Sequence, residues 1–134
     1  MPKPKFKKPA AEQGKWVVAP EAAPVDDRLV FALRCHNTDF TLEACTSDEK
    51  VGFADKLNRL SQMTWTQIYG AHRHGLGCEK INRDSIKAPI PPWISEDVDF
   101  MAFRFFDRAP MVGYRIQSTF YIIWFDREFK LYDH

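Results

Sequence analysis

No apolar stretch of the chain nears the ~20 residues that crossing a bilayer requires, so no membrane partner is expected. Lys and Pro occupy the N-terminus where a secretory signal would carry an apolar core, and no such signal is read there. Cysteine is scarce: Cys35, Cys45 and Cys78 are odd in number and show no CxxC spacing. That is a poor disulfide framework, and it points to a reducing compartment, the cytoplasm. Net charge is nearly absent, +1 from 19 Lys and Arg against 18 Asp and Glu, so the chain as a whole is not a polycation. A Walker loop, a dinucleotide fingerprint and a Ser-His-Asp order are all missing, which removes those familiar enzyme signatures. His72, His74, Cys78 and His36 match none of the closed zinc spacings, and no acidic cluster suits magnesium. No metal and no cofactor are expected, and no internal repeat is found.

Apolar and aromatic residues are plentiful by contrast. A hydrophobic share of 45%, with 14% aromatics, in 134 residues describes one globular domain with a real core. Residues 1–27 stand apart: Pro2, Pro4, Pro9, Pro20 and Pro24 lie among Lys3, Lys5, Lys7, Lys8 and Lys15. This composition reads as a basic, disordered tail with salt-sensitive affinity for phosphate. Residues 28–134 read as a single α+β domain.

Leu29, Phe31, Leu33 and Cys35 alternate as a first strand. Thr46 with Glu49 fits a capping box opening a helix, on which Val51, Ala54, Leu57 and Leu60 form an apolar stripe. Thr64 with Gln67 repeats the motif for a second helix carrying Trp65, Ile68, Tyr69 and His72, with a stop expected near Gly75 or Gly77. Pro89, Pro91 and Pro92 make 82–97 an ordered loop or crossover. Period-two alternation then predicts four short strands over 99–105, 111–117, 119–125 and 129–134. The expected fold is one N-terminal strand, two helices and a four-stranded antiparallel meander, with the helices packed on one sheet face.

Two-residue turns would sort the meander into unlike faces. Phe120, Ile122, Trp124, Phe129 and Leu131 form the apolar side. Tyr114, Tyr121, Ile123, Lys130, Tyr132 and His134 form a polar aromatic side. Arg104 and Arg115 fall on the apolar side in this register, which requires either a bulge that redirects them or buried stems reaching the sheet edge.

Two stretches hold candidate chemistry. Residues 71–81 gather His72, Arg73, His74, Lys80 and two glycines. Arg73 and Lys80 suit phosphate contact, and His74 suits proton transfer, while the same residues fit a helix C-cap equally well. Lys130, Tyr132 and His134 stand at i, i+2 and i+4, so a strand would project a cation, a phenol and an imidazole together. Metal-free RNA cleavage uses such a set: a base for the 2′-hydroxyl, a cation for the phosphorane and an acid for the leaving oxygen. The plain alternative is a half-buried Tyr132 and a frayed end at His134.

The layout, together with the strand Met111-Val-Gly-Tyr-Arg115 and the closing Leu-Tyr-Asp-His134, resembles the RelE/YoeB-type bacterial toxins, small ribonucleases of toxin–antitoxin modules. The order Tyr-Asp-His differs from the His-Tyr pair that often ends their catalytic strand. The resemblance implies a metal-independent endoribonuclease acting on RNA, on the ribosome in many relatives, and neutralised by a cognate antitoxin protein. It implies that Arg115 neutralises phosphate while Tyr132 and His134 stack and transfer protons. His74 joins as a second acid/base candidate, and Arg73, Lys80, Arg104, Tyr114 and Lys130 are candidate RNA contacts. The other expectation is a non-enzymatic regulatory or protein-binding module that uses the polar aromatic face.

Overall fold

The computed structural model describes residues 26–72 and 75–134. Most of the expected tail, and Arg73 and His74, lie outside the described residues. Asp26 and Asp27, assigned to that tail by composition, are tied to the body: the Asp26 carbonyl accepts from Ser118 Oγ at 3.3 Å, and the Asp27 carbonyl accepts from the Trp65 amide at 3.1 Å.

Both capping boxes form as expected. The Thr46 amide donates to Glu49 Oε1 at 2.7 Å, and the Glu49 amide to Thr46 Oγ1 at 3.2 Å, opening α1 (Ser47–Leu60). Thr64 and Gln67 exchange the same bonds at 2.9 and 3.2 Å, opening α2 (Trp65–Gly70). The buried face of α1 is rotated from the expected stripe. Val51 is 61% exposed, whereas Phe53 is buried and meets the Phe125 ring edge-on at 4.9 Å. Gly52 explains the rotation, because a Cβ there would lie 2.7 Å from Phe106 Cδ1. Only a bare backbone lets the helix lie so close to the sheet. α2 ends at Gly70, before the expected stop, and Ala71 is already extended.

Strands β1 (Val30–Leu33), β2 (Glu79–Ile81), β3 (Phe100–Phe106), β4 (Ala109–Ile116) and β5 (Thr119–Phe125) form one sheet in the order β1-β5-β4-β3-β2. The α+β class and the β3-β4-β5 meander are as expected. The detail differs at both edges. β1 pairs parallel to β5, and β2 pairs antiparallel to β3, while residues 129–134 form no strand. Their ladder donors are taken: the Lys130 and Leu131 amides bond to the Asp126 carboxylate, and Phe129 turns the chain at φ 59°. The segment folds onto a sheet face instead of extending along its edge.

Two bulges set the faces. Val112 pairs with Trp124 and Gly113 with Ile122, leaving Ile123 as the extra residue. Ile123 and Trp124 therefore share one core, while Ile122 and Phe125 face the helices. Trp124, expected beside the helices, lies on the opposite side for this reason. A second irregularity in β3 skips Phe105 in the pairing with β4. Leu131 is also on the side away from the helices, packed with Ile94, Phe100, Trp124 and Tyr132 beneath 82–98. Both sheet faces are thus buried, one by α1 and α2, the other by an irregular layer. The three cysteines are free, and burial pushes the Cys35 thiol up to about 11. Among the described residues no helix is long and apolar enough to cross a membrane.

A Cβ on Gly113 would lie 1.8 Å from the Tyr121 carbonyl oxygen, a clash with backbone that no rotamer relieves. Gly113→Ala should therefore cost about 2–4 kcal/mol in urea unfolding. Gly70→Ala, where nothing lies within 4 Å, should stabilise by about 0.5–1 kcal/mol. Glu49 supplies an acid-sensitive contact. Burial works against its charge, but the Thr46 amide and Arg127 outweigh that and hold the carboxyl below the usual range. A lowered folded value means that this stability is complete above the ordinary Glu value of about 4.3 and is lost as pH falls through the folded value. Wild type should lose stability more steeply than Glu49→Gln between about pH 5 and pH 3 in thermal melts.

Candidate functional site

The chain leaves β5 at Asp126, whose side chain is fully buried. Its Oδ1 accepts the Lys130 amide at 2.7 Å, and its Oδ2 accepts the Leu131 amide at 3.1 Å. The same Oδ2 lies 3.1 Å from His134 Nε2. The His134 ring centroid sits 4.1 Å from that of Tyr132, inclined at 32°, and 5.1 Å from that of Phe129, at 90°. The imidazole is gripped by a carboxylate and two rings.

Tyr132 is 7% exposed, and its hydroxyl donates to Glu79 Oε1 on β2 at 3.3 Å. Burial pushes the phenol up, and the Glu79 charge adds to the effect, so the group is a hydrogen-bond donor at neutral pH. Arg104 projects from β3 on the same side as Ala102, opposite to the face that the simple register assigns it. It lines an open groove of about 370 Å³ with Lys80, Tyr132 and His134. A smaller recess of about 30 Å³ adjoins it, lined by Arg104, Arg108, Tyr132 and His134. The groove brings together an imidazole, a protonated phenol and a guanidinium, with the carboxylates of Glu79 and Asp133 on the same lining, while the Lys80 ammonium turns to Asp99 at 3.5 Å.

The remaining candidates lie elsewhere. Arg115 stays on the helix face, its guanidinium 4.3 Å from the centroid of the Trp65 ring and bonded to the Gln117 carbonyl at 2.5 Å and the Tyr69 hydroxyl at 3.0 Å. That is a packing role across the sheet from the groove. Tyr114 is 5% exposed and stacked on Tyr121 at 5.1 Å under the irregular layer, so it offers no open stacking platform. The roof over this face also covers the surface on which a binding module of the expected kind would work. The exposed ammonium of Lys130 pairs with Glu128 at 3.2 Å, outside the groove. Arg73 and His74 lie outside the described residues.

Sequence reasoning passed over Asp126 and Glu79. Asp126 reads as an ordinary turn residue after a run of apolar side chains, and Glu79 as part of a helix end. The signal for Asp126 is an acidic residue directly following six consecutive apolar or aromatic ones, Phe120 to Phe125, where the backbone is already buried.

No protein-family model matches the chain, and neither a curated protein nor a solved structure gives a significant match.

Proposed function

We propose that the protein is a small metal-independent endoribonuclease of the toxin type, cutting RNA through its own 2′-hydroxyl. The convergence of His134, Tyr132 and Arg104 on one groove carries this reading. His134 takes the 2′-hydroxyl proton as the 2′-oxygen bonds to phosphorus. Arg104 and Lys80 stabilise the phosphorane charge, and the Tyr132 hydroxyl donates to a phosphate oxygen in exchange for Glu79. The bond from phosphorus to the 5′-oxygen then breaks, leaving a 2′,3′-cyclic phosphate. The departing 5′-oxygen receives its proton from the imidazolium. The toxin class brings with it a cognate antitoxin protein and RNA on the ribosome as target. Three free cysteines, one of them buried, fit the cytoplasm as its compartment.

The charge of the groove limits how RNA is held. Lys87 pairs with Asp133 at 2.5 Å and Lys80 with Asp99 at 3.5 Å, so carboxylates balance much of the local cation content. Two cations, Arg104 and Lys80, face the scissile phosphate, and the groove alone does not track a long polyanion.

Induction of the protein should arrest growth and cleave cellular RNA, with His134→Ala relieving both. On purified RNA, His134→Ala should lower the rate by about 10²–10⁴-fold, and Arg104→Ala by about 10²–10³-fold. Binding by residues 26–134 should weaken with salt along a slope of about −1.4 in log–log form, the value for two phosphates on a single strand. Intact transcripts and normal growth with the wild-type protein would sink the enzyme reading.

A further inference from the structure

The basic atom of the groove is set by a carboxylate lying behind it. We infer that Asp126 is a positioning residue that fixes His134 in the tautomer carrying hydrogen on Nε2, leaving Nδ1 as the atom that accepts a proton. The tautomer stands on geometry alone; what Nδ1 does with the proton rests on the RNA-cleavage reading.

Two of the three groups bonded to the Asp126 carboxylate are backbone amides, which can only donate. The carboxylate therefore acts as an acceptor at both oxygens, at 2.7 Å for Oδ1 and 3.1 Å for Oδ2. His134 Nε2, 3.1 Å from that same Oδ2, meets an acceptor and must bring the hydrogen. A neutral imidazole has a single N–H, so its lone pair is on Nδ1. Flipping the ring would put Cε1 in place of Nε2 against the carboxylate and lose the bond, and the packed rings oppose it. Tyr132 lies across one side at 4.1 Å, and Phe129 meets it edge-on at 5.1 Å. Asp126 is held in turn by the amides of the segment that ends in His134, so carboxylate, turn and ring form one closed unit.

The charged and titratable groups around the ring come from several elements. Asp126 stands behind it after β5, Asp133 and Tyr132 belong to its own segment, Arg104 comes from β3, and Glu79 and Lys80 from β2. Of these, Asp126 alone is hydrogen-bonded to the ring among the described residues. When Nδ1 takes the 2′-hydroxyl proton, the new positive charge is shared with Nε2–H, and its bond to the buried carboxylate strengthens as the charge develops. Asp126 thus acts through His134 without touching RNA.

The test uses the full chain labelled with ¹⁵N at histidine, with long-range ¹H–¹⁵N correlations at about pH 8.5, where an ordinary imidazole is neutral. The expected spectrum shows His134 Nε2 protonated and Nδ1 bare. An Nδ1–H tautomer, or the mixture seen for free histidine, overturns the inference whatever the protein does to RNA. The predicted tautomer in a protein that cleaves nothing would overturn the ribonuclease reading and leave the positioning role standing. Where the wild type cleaves, folded Asp126→Asn should lose roughly 10- to 100-fold in kcat with KM little changed, alongside a scrambled His134 tautomer. Full kcat in that variant with the tautomer lost would overturn the role in catalysis. An Asp126→Asn chain that does not fold leaves the wild-type spectrum as the deciding measurement.

Discussion

A buried carboxylate, Asp126, determines how this chain ends its sheet and begins its second layer. Burying a charge costs several kcal/mol even after relaxation, and three donors offset it at about 1.5–3 kcal/mol each. Those donors are the Lys130 and Leu131 amides and the His134 ring. Satisfying the carboxylate removes two amides from any ladder, so 129–134 cannot extend the meander. The outer edge of β5 is left for β1, which arrives from far away in sequence and pairs in parallel. The same turn carries Leu131 and Tyr132 under the irregular layer and completes the second core. Phe129 bears the strain, since a bulky residue at φ 59° is unfavourable on its own and persists because the bonds around it leave no alternative.

The next residue binds the other layer. Arg127 Nε donates to Glu49 Oε1 at 2.8 Å, and Glu49 is already the reciprocal partner of the α1 cap. One two-residue turn therefore fastens the start of α1 on one side of the sheet and the closing segment on the other. The two cores treat their indoles differently. Trp65 Nε1 donates to the Ser118 carbonyl at 3.0 Å, whereas Trp124 Nε1 is buried with no hydrogen-bond partner among the described residues. Trp124 fills volume between Phe100 and the sheet, and the unmet donor is a cost the packing must exceed.

What was legible in the chain was the local chemistry. The Thr-x-x-Glu and Thr-x-x-Gln boxes mark both helix starts because the motif is complete within four residues. The three central strands and the α+β class follow from alternation and turn residues. What was not legible depends on single-residue insertions and distant partners. The run Tyr121–Phe125 is apolar throughout, so an extra residue at Ile123 leaves no break in pattern, yet it moves Trp124 to the other face. Gly113 is the one trace of that bulge, and it reads equally as a weak strand residue. Arg115 looked misplaced on an apolar face only if its guanidinium is treated as a bare charge. Over Trp65, with carbonyl and hydroxyl partners, it is a flat, well-satisfied group. Arg104 was redirected, and that redirection brings it to His134.

The groove lies where the second layer runs out, between the short edge strand β2 and the turn that Asp126 closes. Such a place is open enough for a ligand and still bordered by rigid elements, which loops alone do not provide. Its near-balanced charge has a kinetic meaning. A strongly basic surface gathers RNA by long-range attraction, whereas two cations beside paired carboxylates contribute mainly once a phosphate is already seated. On the ribonuclease reading proposed above, rate enhancement would come from alignment: an imidazole held by a carboxylate, a phenol locked as donor and a guanidinium held by its strand. On that same reading, affinity would come from outside the groove, from lysines of the N-terminal sequence or from a larger RNA-bearing partner. Positioning within the site and recruitment outside it are therefore separable, and the carboxylate that shapes the fold is the part of the site that cannot be separated from it.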